Sequence, residues 1–226
     1  MGTSPSRVTI RPAVLKKIYK TLFVKFGPQH WWPAKTPFEV VVGAILVQNT
    51  NWTNTAAAIK NLKTKKLLNP QKLKNISHKR LAAVIRQAGY FNVKARRLKN
   101  FIDFLFDKYS GRISTMAKED SQLLRRQLLS VNGIGPETAD SILLYALNKS
   151  FFVVDAYTKR ILLRHKLILK DATYDEVQEI FMKSLIQNTK LFNEYHALIV
   201  HLAKKFCKRK PLCKRCPLNY LTPILT

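Results

Sequence analysis

Acidic residues are scarce in this sequence: thirteen Asp and Glu stand against forty Lys and Arg in 226 residues, a formal net charge of +27. A field of that sign and size favours a polyanion, and nucleic acid is the commonest one. Cysteine is rarer still. The three residues, Cys207, Cys213 and Cys216, are clustered and odd in number, which argues against a disulfide-stapled scaffold. Glycine is limited to seven residues, and no run of β-branched alternation is long enough to build a sheet. No stretch approaches the roughly eighteen apolar residues of a membrane span, so no membrane association is expected. No apolar run follows the start, so no secretory signal is read and a cytoplasmic protein is expected. Met1-Gly2-Thr3-Ser4-Pro5-Ser6 fits a myristoylation pattern only as a short formal match. Neither a Walker-type loop nor a dinucleotide fingerprint occurs.

What is present is the composition of a folded protein, 46% hydrophobic and 10% aromatic. Apolar residues recur at three- and four-residue spacing, as in Leu81, Val84, Ile85 and Ala88, or Leu98, Phe101, Ile102 and Leu105. Leu123, Leu124, Leu128 and Val131 repeat the pattern, and so do Ile142, Leu143, Ala146 and Leu147. Breaks fall at Gly27-Pro28, residues 33–37, Asn69-Pro70, Gly89 and Ser110-Gly111. Phe151-Phe152-Val153-Val154 is read as an extended entry to the next helix rather than a strand. The expected class is all-α, with a compact Cys-rich loop from Phe206 onward.

The sharpest local signal is Val131-Asn132-Gly133-Ile134-Gly135-Pro136-Glu137-Thr138, between two amphipathic segments. Glycines two apart can adopt backbone angles closed to other residues and let main-chain N–H groups approach a ligand. Pro136 suits a first helical turn, and the helix start it opens presents N–H groups and a positive dipole end to a phosphate. An ordinary helix–turn–helix connection is the plainer reading of the same residues.

This segment resembles the helix-hairpin-helix of the DNA glycosylase superfamily that includes endonuclease III. The resemblance implies that Gly133, Ile134, Gly135 and Thr138 grip the DNA backbone irrespective of sequence. It continues into Val153-Val154-Asp155, twenty residues past Gly135, the spacing at which the family places its catalytic aspartate. A carboxylate there has a physical purpose, because breaking an N-glycosidic bond builds positive charge on the sugar. Asp155 also suits the N-cap of a helix starting at Ala156, and the two roles are compatible. Members with strand-cleaving activity carry a lysine where Glu137 stands, and a glutamate cannot form the Schiff base. The resemblance therefore implies a monofunctional glycosylase that uses water, with Lys149 and Lys159 as the nearby amines that could substitute.

Trp31-Trp32-Pro33, Gln48 and Trp52 are similar to a branch of this superfamily that removes 3-methyladenine. In that branch such residues form a base pocket, and Glu137 matches it as well. Aromatic faces suit alkylated purines, which carry positive charge; core packing is the plainer use of tryptophan. Gln48 matches the residue that members push into the duplex beside the extruded nucleotide, although a lone Gln on a helix is usually just solvated.

Resemblance covers nearly the whole chain. It implies a central helical domain of residues 34–149 ending in the hairpin, and a second domain of residues 1–33 with 150–226, with a cleft between them. A monomer acting on duplex DNA with a damaged base is expected. Cys207-x5-Cys213-x2-Cys216 resembles the family's [4Fe–4S] ligand set, with Thr222 at the fourth position. A cluster, a zinc site that recruits His201, and a loop that has lost its metal all remain open at this point. Two other functions stay in play. One is an endonuclease III-like oxidised-pyrimidine glycosylase with lyase activity, and the other a non-catalytic helix-hairpin-helix DNA-binding protein.

Overall fold

The computed structural model describes residues 10–221; the residue 1–6 pattern and Thr222 lie outside them. Every regular element among the described residues is helical, in keeping with the all-α expectation. In chain order these are α1 (Pro12–Phe26), α2 (Pro37–Leu46), α3 (Trp52–Thr64), α4 (Pro70–Asn75), α5 (His78–Val84) and α6 (Phe91–Tyr109). They continue with α7 (Ile113–Met116), α8 (Ser121–Ser130), α9 (Pro136–Ser141), α10 (Ala156–Arg164), α11 (Tyr174–Ser184) and α12 (Thr189–Lys205). Residues 151–154 are extended and lead into α10. No helix among the described residues is long and apolar enough to cross a membrane.

Short polar residues start most of these helices. The side chains of Thr36, Asn51, Asn69, Ser77, Asp120, Asp155 and Asn188 each accept an N–H from the first turn that follows. Thr173 and Glu176 form a reciprocal capping box at α11. Each such cap is worth about 1 kcal/mol. Two of the expected stripes do not fall on continuous α-helix. After Leu81 and Val84, α5 ends and Arg86–Ala88 turns as a 3₁₀ helix that stops at Gly89, with φ +69°. Past α9, Ile142–Ala146 winds as a π turn, in which the Leu147 N–H reaches back five residues to Ile142 O at 3.2 Å. Such turns insert one residue and re-aim the side chains around it.

The chain divides into two compact units, Trp32–Lys149 and the pair of segments Met1–Trp31 and Ser150–Thr226. In the first unit α2 is apolar nearly all round, with nine of its ten residues buried, as befits a central helix. Its one acid, Glu39, is buried but paired with Lys63 at 2.5 Å. Asp140 of α9, fully buried, accepts two bonds from the Arg125 guanidinium of α8, at 2.8 and 3.1 Å. This pair joins the helices on either side of the hairpin.

In the second unit an aromatic core of Phe152, Phe181, Phe192 and Tyr195 is fully buried. Phe152 stacks on Phe181 at 3.8 Å, and the Gln178 amide donates to Phe152 O at 2.7 Å. The Tyr195 hydroxyl donates to Leu15 O of α1 at 2.9 Å. Extended residues 151–154 are thereby fixed by core packing, and with them the start of α10.

Lys94 of α6 is 1% exposed, and its Nζ donates to Leu46 O at 2.9 Å and Ala88 O at 2.7 Å. It thus satisfies carbonyls at the ends of α2 and the 3₁₀ turn. Burial, reinforced by the like charge of Arg97, pushes its ammonium down to about 8. Below that pH Lys94 is charged in both the folded and unfolded chain, and the folded protein bears the full cost of burying the charge. As pH rises toward the unfolded value near 10.5 the folded form sheds its proton first, so this group adds stability, by about 3 kcal/mol in total. In urea unfolding, the stability of the native protein minus that of Lys94→Met should rise by that order between pH 8 and 10.5. A constant difference contradicts it.

Candidate active site

The hairpin lies in the Trp32–Lys149 unit. Val131 and Ile134 are buried and anchor the loop, while Asn132 and Gly135 are exposed and Gly133 half-exposed. Gly133 has φ +95°, and a Cβ on it would stand 2.3 Å from Arg97 Cγ and 2.9 Å from Cδ. Glycine is therefore required there twice over, by the backbone and by the neighbour. Gly135 corrects the expectation of two special conformations. Its φ of −93° and ψ of 178° are ordinary, and a Cβ would meet nothing within 4 Å. It caps α9, with Pro136 in the first turn as expected.

Side chains from two other segments hold the loop. The Gln48 amide, in the turn after α2, donates to Gly133 O at 3.1 Å and Thr138 Oγ1 at 2.8 Å. The Arg97 guanidinium donates to Gln48 Oε1, and the Asn100 amide to Asn132 O at 2.9 Å. Gln48 is thus bound to the hairpin rather than projecting freely from a helix. Thr138 is buried and its hydroxyl accepts the Gln48 amide. Glu137 lies exposed in the first turn of α9.

Trp32 meets Trp52 edge to face at 5.3 Å between ring centroids, and Tyr145 at 5.1 Å with a 50° tilt. A Cβ on Gly43 would stand 3.4 Å from the Trp32 indole, so the missing side chain gives that ring its seat. All three rings are half-buried. Tyr145, carried by the π turn, is a member of this group that sequence reasoning missed. Trp31 belongs to the other unit, where Lys204 Nζ sits 5.8 Å from its ring. The structure therefore gathers Trp32 and Trp52 with Tyr145.

In that other unit Asp155 is the N-cap of α10. Its Oδ1 accepts the Thr158 N–H at 2.7 Å and the Thr158 hydroxyl at 2.8 Å. His196 Nε2 of α12 lies 3.5 Å from Oδ2. Burial alone would raise the carboxyl pKa, but the charge and hydrogen bonding of His196, with the two bonds from Thr158, outweigh it and hold Asp155 below the usual carboxylate range. His196 is itself buried. The signal for its role was a lone histidine on the apolar stripe of Phe192, Tyr195 and Ile199, where a buried polar group demands a partner.

Cys207 is buried, Cys216 half-buried and Cys213 exposed. Burial pushes the Cys216 thiol up, and the neighbouring Cys207 and Cys213 sulfurs add to the rise. The Arg164 guanidinium donates to Cys207 Sγ at 3.2 Å, Lys208 O at 2.6 Å and Arg209 O at 3.1 Å. His201 is held elsewhere, with Nδ1 2.7 Å from Gln29 Oε1 and its ring stacked on Phe26. No group of three His, Cys, Asp or Glu among the described residues is arranged to hold a metal ion. The chain has three cysteines and the Arg164 guanidinium bonds to one of them, so the described residues supply an incomplete ligand set for a [4Fe–4S] cluster, and the expected fourth position, Thr222, lies outside them.

The comparisons agree with this geometry. Residues 42–187 match the model of the HhH-GPD superfamily base excision DNA repair protein. A Methanocaldococcus jannaschii protein assigned as a DNA repair glycosylase is 52% identical over 208 residues, 91% of this chain and 94% of its own. The crystal structure of the H. pylori 3-methyladenine DNA glycosylase bound to 1,N6-ethenoadenine superposes with a TM-score of 0.76 at 29% identity, covering 87% of this chain and 98% of that one. A non-covalent endonuclease III–DNA complex shares the fold, with a TM-score of 0.81 at 22% identity over 94% and 95% of the two chains. The chain belongs to the HhH-GPD superfamily of base excision DNA repair proteins, a family of DNA glycosylases.

The two hairpin glycines should respond unequally to alanine. Gly133→Ala is expected to cost about 2 kcal/mol or more in chemical denaturation, through strain at positive φ and the clash with Arg97. Gly135→Ala should cost less than about 1 kcal/mol. Equal losses contradict this assignment of the turn.

Proposed function

We propose that this protein is a monofunctional DNA glycosylase that extrudes a damaged base, an alkylated purine, from duplex DNA and hydrolyses its N-glycosyl bond. The observation that carries the reading is Asp155: a buried carboxylate kept ionised, with one oxygen pinned by Thr158 and the other not bonded to it. As the bond breaks its electrons leave with the base, and the sugar becomes cationic. A nearby fixed carboxylate in a water-poor setting stabilises that charge far better than one in bulk water. Water then adds to C1′ and gives up a proton, which Asp155 can accept.

The remaining parts have matching roles. The exposed main chain at Gly133 and Gly135 suits a phosphate, and the net charge of +27 suits the duplex at large. Trp32, Trp52 and Tyr145 offer aromatic faces to a cationic purine, and the likeness to the H. pylori enzyme supports that class. Glu137 offers no amine. Lys149 Nζ donates to Glu119 O at 2.6 Å and Lys159 Nζ to Ala172 O at 2.8 Å, so both candidate substitutes are engaged within the fold. This supports hydrolysis without strand cleavage.

The test is incubation with duplexes carrying 3-methyladenine, 7-methylguanine, thymine glycol or a mismatch, with base release and strand nicking assayed separately. Free alkylated purine is expected, with no nicking and no covalent adduct on borohydride treatment. Asp155→Asn should slow release by about a thousandfold while leaving DNA affinity within a few-fold. Thymine glycol release with a trapped adduct would point to the endonuclease III type, and unimpaired release by Asp155→Asn removes the catalytic role.

A further inference from the structure

His196 is a buried titratable group that the mechanism above does not use. It sits forty-one residues beyond Asp155, in the same compact unit. Thr158 takes Oδ1 of Asp155 through both its N–H and its hydroxyl. Oδ2 has His196 Nε2 at 3.5 Å, long for a hydrogen bond but close for a charge pair. The two side chains are 8% and 12% exposed, for His196 and Asp155 respectively, so little water screens them.

The other titratable and charged groups on the surrounding elements are engaged elsewhere. On α10, Lys159 donates to Ala172 O and Arg160 lies over the Tyr157 ring at 5.0 Å. On α12, Glu194 accepts the Gln29 N–H at 2.8 Å, the Tyr195 hydroxyl donates to Leu15 O, and His201 meets Gln29. From α1, Tyr19 packs edge-on against Tyr195 at 5.3 Å. From α11, the Tyr174 hydroxyl accepts the Val154 N–H at 3.4 Å. Beside the two bonds from Thr158, the group acting on Asp155 to favour its ionised form is His196.

We infer that His196 is a positioning residue for Asp155: its Nε2 faces Oδ2 while Thr158 holds Oδ1, so that the carboxylate is oriented before the sugar becomes cationic. The inference rests on the reading of Asp155 as the catalytic carboxylate. Its consequence has a definite sign. Burial favours the neutral acid, and His196 and Thr158 oppose it. Without His196 the desolvation remains with Thr158 alone against it, so Asp155 takes up a proton at higher pH.

A lesion-independent probe reads this directly. Duplexes carrying a pyrrolidine abasic nucleotide present a cation at the sugar position, and those with a tetrahydrofuran abasic nucleotide a neutral ring of similar shape. The ratio of their affinities cancels phosphate contacts and reports the negative charge at the site. The native protein is expected to prefer the pyrrolidine duplex by about tenfold or more from about pH 8 down to about pH 5. His196→Asn should keep the preference near pH 8 and lose most of it near pH 5. His196→Gln, which fills more of the space, should behave alike and guards against a folding defect in the first variant. Asp155→Asn should show no preference at any pH. If the histidine variants follow the native profile, the positioning role is overturned and Asp155 stands. If the native protein shows no preference, or Asp155→Asn retains it, the reading of Asp155 itself fails and the inference falls with it.

Discussion

The grip of Thr158 on one oxygen of Asp155 is the contact on which the rest of the site depends. It is an ordinary helix cap in form, two short bonds that satisfy the start of α10. Its effect is to fix the orientation of a carboxylate in a place where burial disfavours charge. The cap in turn depends on the extended residues ahead of it, which the stack of Phe152 on Phe181 and the Gln178 bond hold in the core. Aromatic packing, strand-like backbone, helix cap and ionised group form one chain of causes.

The hairpin is organised by the same economy. Gln48 bonds to two points of the turn, Arg97 bonds to Gln48, and Arg97 also packs where a side chain on Gly133 would be. Three stretches far apart in sequence share one small polar network, which adds to the buried Val131 and Ile134 in holding the turn. Preorganised main chain of this kind suits sequence-independent phosphate contact, since the loop need not be ordered at the moment of binding.

Much of this was legible in the residues. The apolar spacing marked the helices, breaks such as Asn69-Pro70 and Gly89 marked their limits, and Asp155 was readable as the cap of the helix from Ala156. What escaped has a common cause. The π turn after α9 has the apolar spacing of a plain helix, so Tyr145 gave no sign of joining Trp32. Trp31 and Trp32 are neighbours in sequence, but the boundary between the two units falls between them. The bonds from Gln48 to the hairpin gave no sign in the sequence, because hydrogen bonds across 85 and 90 residues leave no periodic trace. The cysteine spacing suggested a metal frame, and spacing carries no information about Arg164 approaching Cys207 from forty-three residues away.

The closure between α1 and α12 has a consequence for biosynthesis. The Tyr195 bond to Leu15 spans 180 residues, so the unit to which α1 belongs is interrupted by the whole of Trp32–Lys149. A ribosome delivers the inserted unit complete while α1 still lacks the partners that bury Leu15, Ile18 and Leu22. Domains emerging from the ribosome tend to form as units, and distant pairings are slow because long loops must close first. The order of synthesis therefore has the hairpin made before the carboxylate, and leaves the earliest helix to find its place among the last.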